Sequence, residues 1–552
     1  MHLQTLSLAL LAGASTTLAA PNTTKPFSTW MASSWRSKGQ KLNNHYVQAI
    51  IHEGLQKAAT QQKDAELLKY ASNAISSLVK DDGTLIGWNS TFYTLDDVRM
   101  GNNILYFWNS EGRKSKKYEI AAKGLREQLN RWPRTPTGGF WHRAPIYKNQ
   151  MWLDGIYMAD TFYATYTAYF EPQNTTAWND ITLQFDLVEE HCRNHTSNLL
   201  QHGYSEDKST VWANPVTGAS PHVWDRAVGW YFVALVEVLE VFPKSHPGYA
   251  KLKKYLTTLA DGLKKAQDVS GGWWLIMNEP YPGESRNYIE SSATAMFAYA
   301  YLKGIRLGLL DAAYKTTAVK AWDLMVDEFV QYENNGTLSW TGTVEVGSLS
   351  GSASYEYYVG VPLAINDGKG LAPFIYAATE IEKAGLIPTT IMSSVATSIA
   401  PSASGGSCAT ADFTRFPTSD AACAVGSNQG IPSNTSEAFQ KCCKSAPVER
   451  WNGDCGNYCL SVEQSIADLQ KCFQDNGVRA GSIFCNSNNT ATATGRPSGS
   501  ATGTRGGASG TNSAGASQST GAAPAVVPQG VSKTGLGILG MIVVSVFAGA
   551  ML

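Results

Sequence analysis

From about residue 40 to 385 the apolar residues recur at helical spacing, interrupted by Gly, Pro and Asn. The pattern predicts twelve helices, near 45–60, 64–80, 96–111, 117–131, 152–168, 175–191, 223–241, 247–266, 286–306, 312–331, 353–365 and 370–384. Alternating, valine-rich strand patterns are scarce. Twelve helices in consecutive antiparallel pairs fit six hairpins closed into a ring, an all-α (α/α)6 barrel. An open solenoid has the same count; no fixed-period repeat is evident, which favours the ring. In a ring the inner helices share one end, where their connecting loops form a cavity. The long loops 132–151, 192–222 and 267–285 are rich in Trp, His, Gly and Pro, and loops on a rigid scaffold are where sites concentrate.

One acid interrupts this pattern. Asp154 sits between Trp152, Leu153 and Ile156 in a run that otherwise favours burial. Burial raises a carboxyl pKa by disfavouring the charged form, and a carboxylic acid protonated near neutral pH serves as a general acid. The plainer reading is that Asp154 caps the helix after it. Asp96 and Asp97 open another helix, where capping and the helix dipole offer the same plain alternative. His142 follows Phe140-Trp141 on the loop leading to Asp154, and His202 begins His202-Gly203-Tyr204 on the next long loop. Arg226 and Trp230 stand one helical turn apart. A forked donor and a stacking face suit an acidic sugar. Equally, Arg226 stacks on a core Trp and pairs with a structural acid.

Charge narrows the field. Lys plus Arg is 44 against 45 for Asp plus Glu, a formal net charge of −1, which points to no nucleic-acid partner. Charged residues are only 16%, while aromatics reach 11%, with 16 Trp and 25 Tyr. Such flat faces with polar edges suit sugar rings or a large aromatic core. Metalloprotease, P-loop and nucleophile-elbow signatures are absent from the sequence.

The chain ends read differently. Residues 1–20 resemble a secretory signal, and seven N-x-Ser/Thr sequons begin at Asn22, Asn89, Asn174, Asn194, Asn335, Asn434 and Asn488. After the main domain, 21–387, a Ser/Thr-rich linker is expected over 388–407. Eight cysteines over 408–487 imply a disulfide-stapled module of unreadable connectivity, with zinc binding by Cys455 and Cys459 as the alternative. Cys192 is left as a buried or free thiol. A disordered Ser/Thr/Gly-rich stalk is expected over 488–533. The apolar tail 534–552 reads as a GPI-attachment signal, against a tail-anchored helix. Export to the cell surface or wall, on the outer membrane leaflet through a lipid anchor, is the expectation.

Taken in order, QMWLDGIYMA, HGY, VWDRAVGWY, NYIESSATAMFAYAYLKGIRLG and GKGLAPFIYAATE resemble family 105 of the glycoside hydrolases, the unsaturated rhamnogalacturonyl hydrolases. The likeness spans roughly 40–385 and leaves out the cysteine module and tail. It implies an (α/α)6 barrel, with Asp154 as catalytic acid and base and Asp96 as a second carboxylate. His142, His202, Arg226 and Trp230 would line the site. No metal or organic cofactor is implied. The implied substrate is a pectin-derived oligosaccharide ending in a Δ4,5-unsaturated uronic acid. Asp97 competes with Asp96 because the register is open by one residue. Asp225 stands where family members often carry Gly. Two rivals remain: a wall endo-α-mannanase using Asp96 and Asp97, and a non-catalytic wall carbohydrate-binding protein.

Overall fold

The computed structural model describes residues 25–386 except 40, 41 and 285. In the C-terminal region it describes 408, 416–426, 431, 435–453, 455–478, 482–487 and 490–494. The expected signal, linker and tail, the stalk beyond residue 494, and the sequons at Asn22, Asn434 and Asn488 lie outside the described residues. Residues 490–494, expected as the start of a disordered stalk, are instead tied to the cysteine module, Ile466 N donating to Ala491 O at 2.9 Å and Ala493 N to Ser461 O at 3.1 Å.

Twelve helices of ten residues or more among the described residues carry the first region. They are α1 (Phe27–Ser37), α2 (Tyr46–Gln62), α3 (Ala65–Leu78), α4 (Met100–Ser110), α5 (Lys116–Asn130), α6 (Thr161–Phe170), α7 (Thr175–Cys192), α8 (Asp225–Val241), α9 (Pro247–Ala266), α10 (Ser291–Arg306), α11 (Lys315–Leu324) and α12 (Gly368–Lys383). The even-numbered helices pack in cyclic order: α2 on α4, α4 on α6, α6 on α8, α8 on α10, α10 on α12, and α12 back on α2. The odd-numbered helices lie outside them, α1 against α12 and α2, α3 against α2 and α4, and α5 against α4 and α6.

Burial follows the sequence pattern. Helices α8, α10 and α12 are apolar on nearly every face and are buried almost throughout, as interior helices must be. Helix α9 buries one stripe, Leu252, Leu256, Leu259 and Leu263, and turns its lysines outward. Gly229 lets α8 approach α10, because a Cβ there would meet Met296 Sδ at 2.6 Å.

The count of twelve agrees with expectation, but its membership differs. The expected helix 353–365 is helical only over Tyr355–Val359. Gly360 ends it, and Pro362 precedes a short strand, Leu363–Ala364, paired with Thr343–Val344. Helix α1 supplies the missing member. Its Ser-rich sequence has little helix propensity, yet packing holds it: Trp30, Met31 and Trp35 are buried, and Ser28 donates through N and Oγ to Glu382 at 2.9 and 2.6 Å.

The C-terminal module is not purely helical. An antiparallel sheet runs in the order Glu449–Trp451, Gly456–Leu460, Ala422–Gly426, Ile483–Cys485, with helices α13 (Thr435–Cys442) and α14 (Ile466–Asp475) against it. Disulfides join Cys408–Cys455, Cys423–Cys485, Cys442–Cys472 and Cys443–Cys459, which removes Cys455 and Cys459 as zinc ligands. Cys192 is free and buried, and burial pushes its thiol up. No helix among the described residues is long and apolar enough to cross a membrane.

Candidate active site

Main-chain hydrogen bonds gather the separated motifs. Leu95 N donates to His142 O at 3.2 Å, and His142 N to Gln150 O at 2.9 Å. The strand Gln150–Trp152 pairs antiparallel with Gly203–Ser205, and Leu153 N then donates to His202 O at 3.0 Å. His202 N continues to His222 O at 3.1 Å. Asp225 N reaches Leu275 O, Leu275 N reaches Tyr288 O, and Ser291 N reaches Gly342 O. Each loop is thus tied to the next, and residues far apart in sequence share one collar.

Asp154 lies in the first helical turn after this strand, while Trp152 holds the N-cap position without a side-chain cap bond. Its Oδ2 lies 3.1 Å from His202 Nε2, and His202 Nδ1 lies 2.7 Å from the Tyr358 hydroxyl. The Asp154 side chain keeps 15% exposure, against 0% for His202. Burial pushes the Asp154 carboxyl up, but the His202 hydrogen bond and the charges of His202 and His142 outweigh it. The net shift is downward, opposite to the expectation from apolar neighbours alone. The sequence shows those neighbours but not the histidine folded against the acid.

Asp96 accepts from Arg143 Nη2 at 2.9 Å, and its charge is felt by His45, Tyr46 and His142. Asp97 is held up to about 7 by burial and by the Asp96 charge, with Arg143 opposing. Among the two, Asp96 therefore faces the His142 side. His142 stacks flat on Trp152, centroids 4.2 Å apart at 11°, and burial lowers its imidazole despite Asp96 and Asp154. Its Nδ1 is buried with no hydrogen-bond partner among the described residues.

Arg226 and Trp230 are placed differently from the expected sugar clamp. Arg226 donates to Val344 O at 2.7 Å, to Glu345 O, and to Ser292 Oγ at 3.3 Å. It lies over Trp224, 4.8 Å from the ring centroid, and 3.8 Å from Glu290. The alternative reading of this residue, stacked on a core Trp beside a structural acid, is the one realised. Trp230 is buried against Tyr157, centroids 4.7 Å apart. Arg99 covers the Tyr157 ring at 3.9 Å and pairs with Glu53, so this column forms a floor. Asp225 accepts from Arg226 N at 2.7 Å, and burial, then Glu290, push its carboxyl well up.

Sequence reasoning passed over His45, Tyr358 and Lys369. His45 caps α2 and responds to Asp96, Lys369 and Arg143. Lys369 is buried with Asp367, Nζ to Oδ2 2.6 Å. The signal for Lys369 was its buried place in GKGLAPFIYAATE; Tyr358 was hidden inside the expected helix 353–365, of which only Tyr355–Val359 forms.

The fold and this carboxylate-and-imidazole site define a helix-rich glycoside hydrolase domain. The model of Glycosyl Hydrolase Family 88 matches residues 22–384, and the chain belongs to that family. It is 34% identical to Protein Atu3128 of Agrobacterium fabrum over 33% of this chain and 81% of that protein. It is 24% identical to the unsaturated rhamnogalacturonyl hydrolase YesR of Bacillus subtilis over 39% of this chain and 59% of that one. Among solved structures, a family 105 glycoside hydrolase of C. acetobutylicum superposes with TM-score 0.62 at 34% identity, covering 65% of this chain and 100% of its own. Family membership sets aside the mannanase of another family. The cysteine module lies outside the family match.

Proposed function

We propose that the chain releases a terminal Δ4,5-unsaturated uronic acid from pectin-derived oligosaccharides of the rhamnogalacturonan type. The observation that carries this reading is Asp154, the partly exposed acid of the collar, held by His202 beside His142 and Asp96. The cyclic order of helices is read as a closed (α/α)6 barrel around that collar.

The unsaturated ring is an enol ether, so its reaction begins at carbon rather than at the glycosidic oxygen. Asp154 protonates C4, and the ring oxygen supports the positive charge left at C5. Water adds at C5 and returns a proton to the Asp154 carboxylate. The hemiketal opens to a C5 ketone, and the hemiacetal freed at C1 expels the neighbouring sugar. One residue acts as acid and then base, a step of a kind that contributes roughly 100- to 10,000-fold. In the free protein Asp154 is held low. A bound uronate brings a second negative charge and excludes water, and both push the carboxyl up. With Arg226 engaged by the backbone, the uronate falls to Arg143, which uses Nε and Nη2 on Thr94 and Asp96, and to His142.

Asp154→Asn is expected to abolish the loss of ultraviolet absorbance of the unsaturated uronate while the variant melts like the parent. Full activity in that variant would remove Asp154 from the reaction. The proposal includes export and a lipid anchor; release of the surface-bound protein by phosphatidylinositol-specific phospholipase C tests the latter.

A further inference from the structure

A cavity of about 780 Å3 lies away from Asp154, walled by the loop after α9 and the end of α11 on one side and by the end of α14 in the cysteine module on the other. Its size suits a small-molecule ligand. A second cavity of about 520 Å3 shares Asp268 and Trp274, so the groove continues past the indole. Trp274 is half-buried, its Nε1 3.2 Å from Asp268 Oδ2. Glu284, Asp323 and Asp327 stand around it.

Gln474 closes the groove from the module side. It is 6% exposed, and its Nε2 has no hydrogen-bond partner among the described residues. A buried amide donor without an acceptor is destabilising, so this position is built for a group that arrives from outside. A ring face, several acceptors and two donors, the Gln474 amide and the Lys320 ammonium, match the hydroxyls and flat face of a pyranose. The carboxylates repel a uronate, so the groove is no extension of the catalytic pocket. A divalent cation fits poorly, because no group of three or more His, Cys, Asp or Glu among the described residues is placed to hold one.

We propose that this groove binds a short neutral oligosaccharide, holding the protein on an uncharged polysaccharide while Asp154 works on an acidic one. Calorimetry on the full chain with neutral gluco-, galacto-, manno- and xylo-oligosaccharides tests it, with trigalacturonate as the acidic control. At least one neutral series is expected to bind and trigalacturonate not to compete. Trp274→Ala and the exposed Asp323→Lys are each expected to weaken binding at least tenfold with unchanged melting. If Trp274→Ala fails to fold, Asp323→Lys decides alone. Absence of binding by every neutral series, unchanged affinity in Asp323→Lys, or trigalacturonate competing at the same groove overturns the proposal.

Discussion

The Tyr358 hydroxyl sits 2.7 Å from His202 Nδ1, on the far side of the imidazole from Asp154. Tyr358 is 1% exposed, and its phenol proton requires an acceptor. Donation to Nδ1 meets that need and fixes the His202 proton on Nε2, where it points at Asp154. Tyr358→Phe leaves Nδ1 unpaired and the tautomer unset. We expect kcat on an unsaturated disaccharide to fall about tenfold, KM to change little, and stability to drop by about 1–3 kcal/mol, the cost of one buried unpaired group. An unchanged kcat would show that His202 is positioned without Tyr358.

The pH dependence tests the same contact from its other end. If the reacting form carries a protonated Asp154, kcat/KM falls as pH rises above the Asp154 pKa. Burial raises that pKa and His202 more than reverses it. His202→Ala removes the imidazole hydrogen bond to Asp154 and leaves burial dominant. The falling limb of the pH profile is therefore expected to move to higher pH, even as the maximum rate declines. A limb that stays put or moves to lower pH would assign the proton to another group.

Asp97 makes a stability prediction of opposite sign to an ordinary carboxylate. Its folded-state pKa, about 7, lies above the unfolded value of about 3.9. Between those values the folded state binds more protons than the unfolded one, so stability falls as pH rises through this window and levels off above it. Asp97→Asn removes the penalty. The variant is expected to match the parent at pH 4 and to exceed it by about 2–4 kcal/mol at pH 8, read from denaturant melts at both values. A constant difference across that range would mean that Asp97 is ionised throughout.

The sequence carried the interior helices and the acid because both leave local marks. Helices α8, α10 and α12 are apolar on nearly every face, and Asp154 stands out in an apolar run. Neither mark tells what folds over the acid, so the direction of its shift was misread. Arg226 shows the same limit: its spacing to Trp230 is legible, but its partners, Val344 and Glu345, lie over a hundred residues away. Helix α1 was missed because packing rather than propensity holds it. The module's cysteine count announced disulfides, while the pairing and the sheet depend on register across 62 residues between Cys423 and Cys485.

Gly203 ties the fold to the chemistry. A Cβ at this position would lie 2.6 Å from Met151 O and 3.0 Å from Trp152 Cα, backbone atoms of the paired strand that cannot rotate aside. The two strands must part, and Leu153 N, bonded to His202 O, moves with them. Asp154 and His202 hang from those two residues or their direct neighbours. Gly203→Ala is therefore expected to cost about 1–3 kcal/mol, as overpacking does, and to lower kcat by more than that loss of folded protein accounts for. Gly351→Ala serves as the control, because a Cβ there meets nothing within 4 Å; it should leave both melting and activity unchanged. If Gly203→Ala melted lower but kept the parent's kcat per folded molecule, the spacing of these two strands would matter to folding alone.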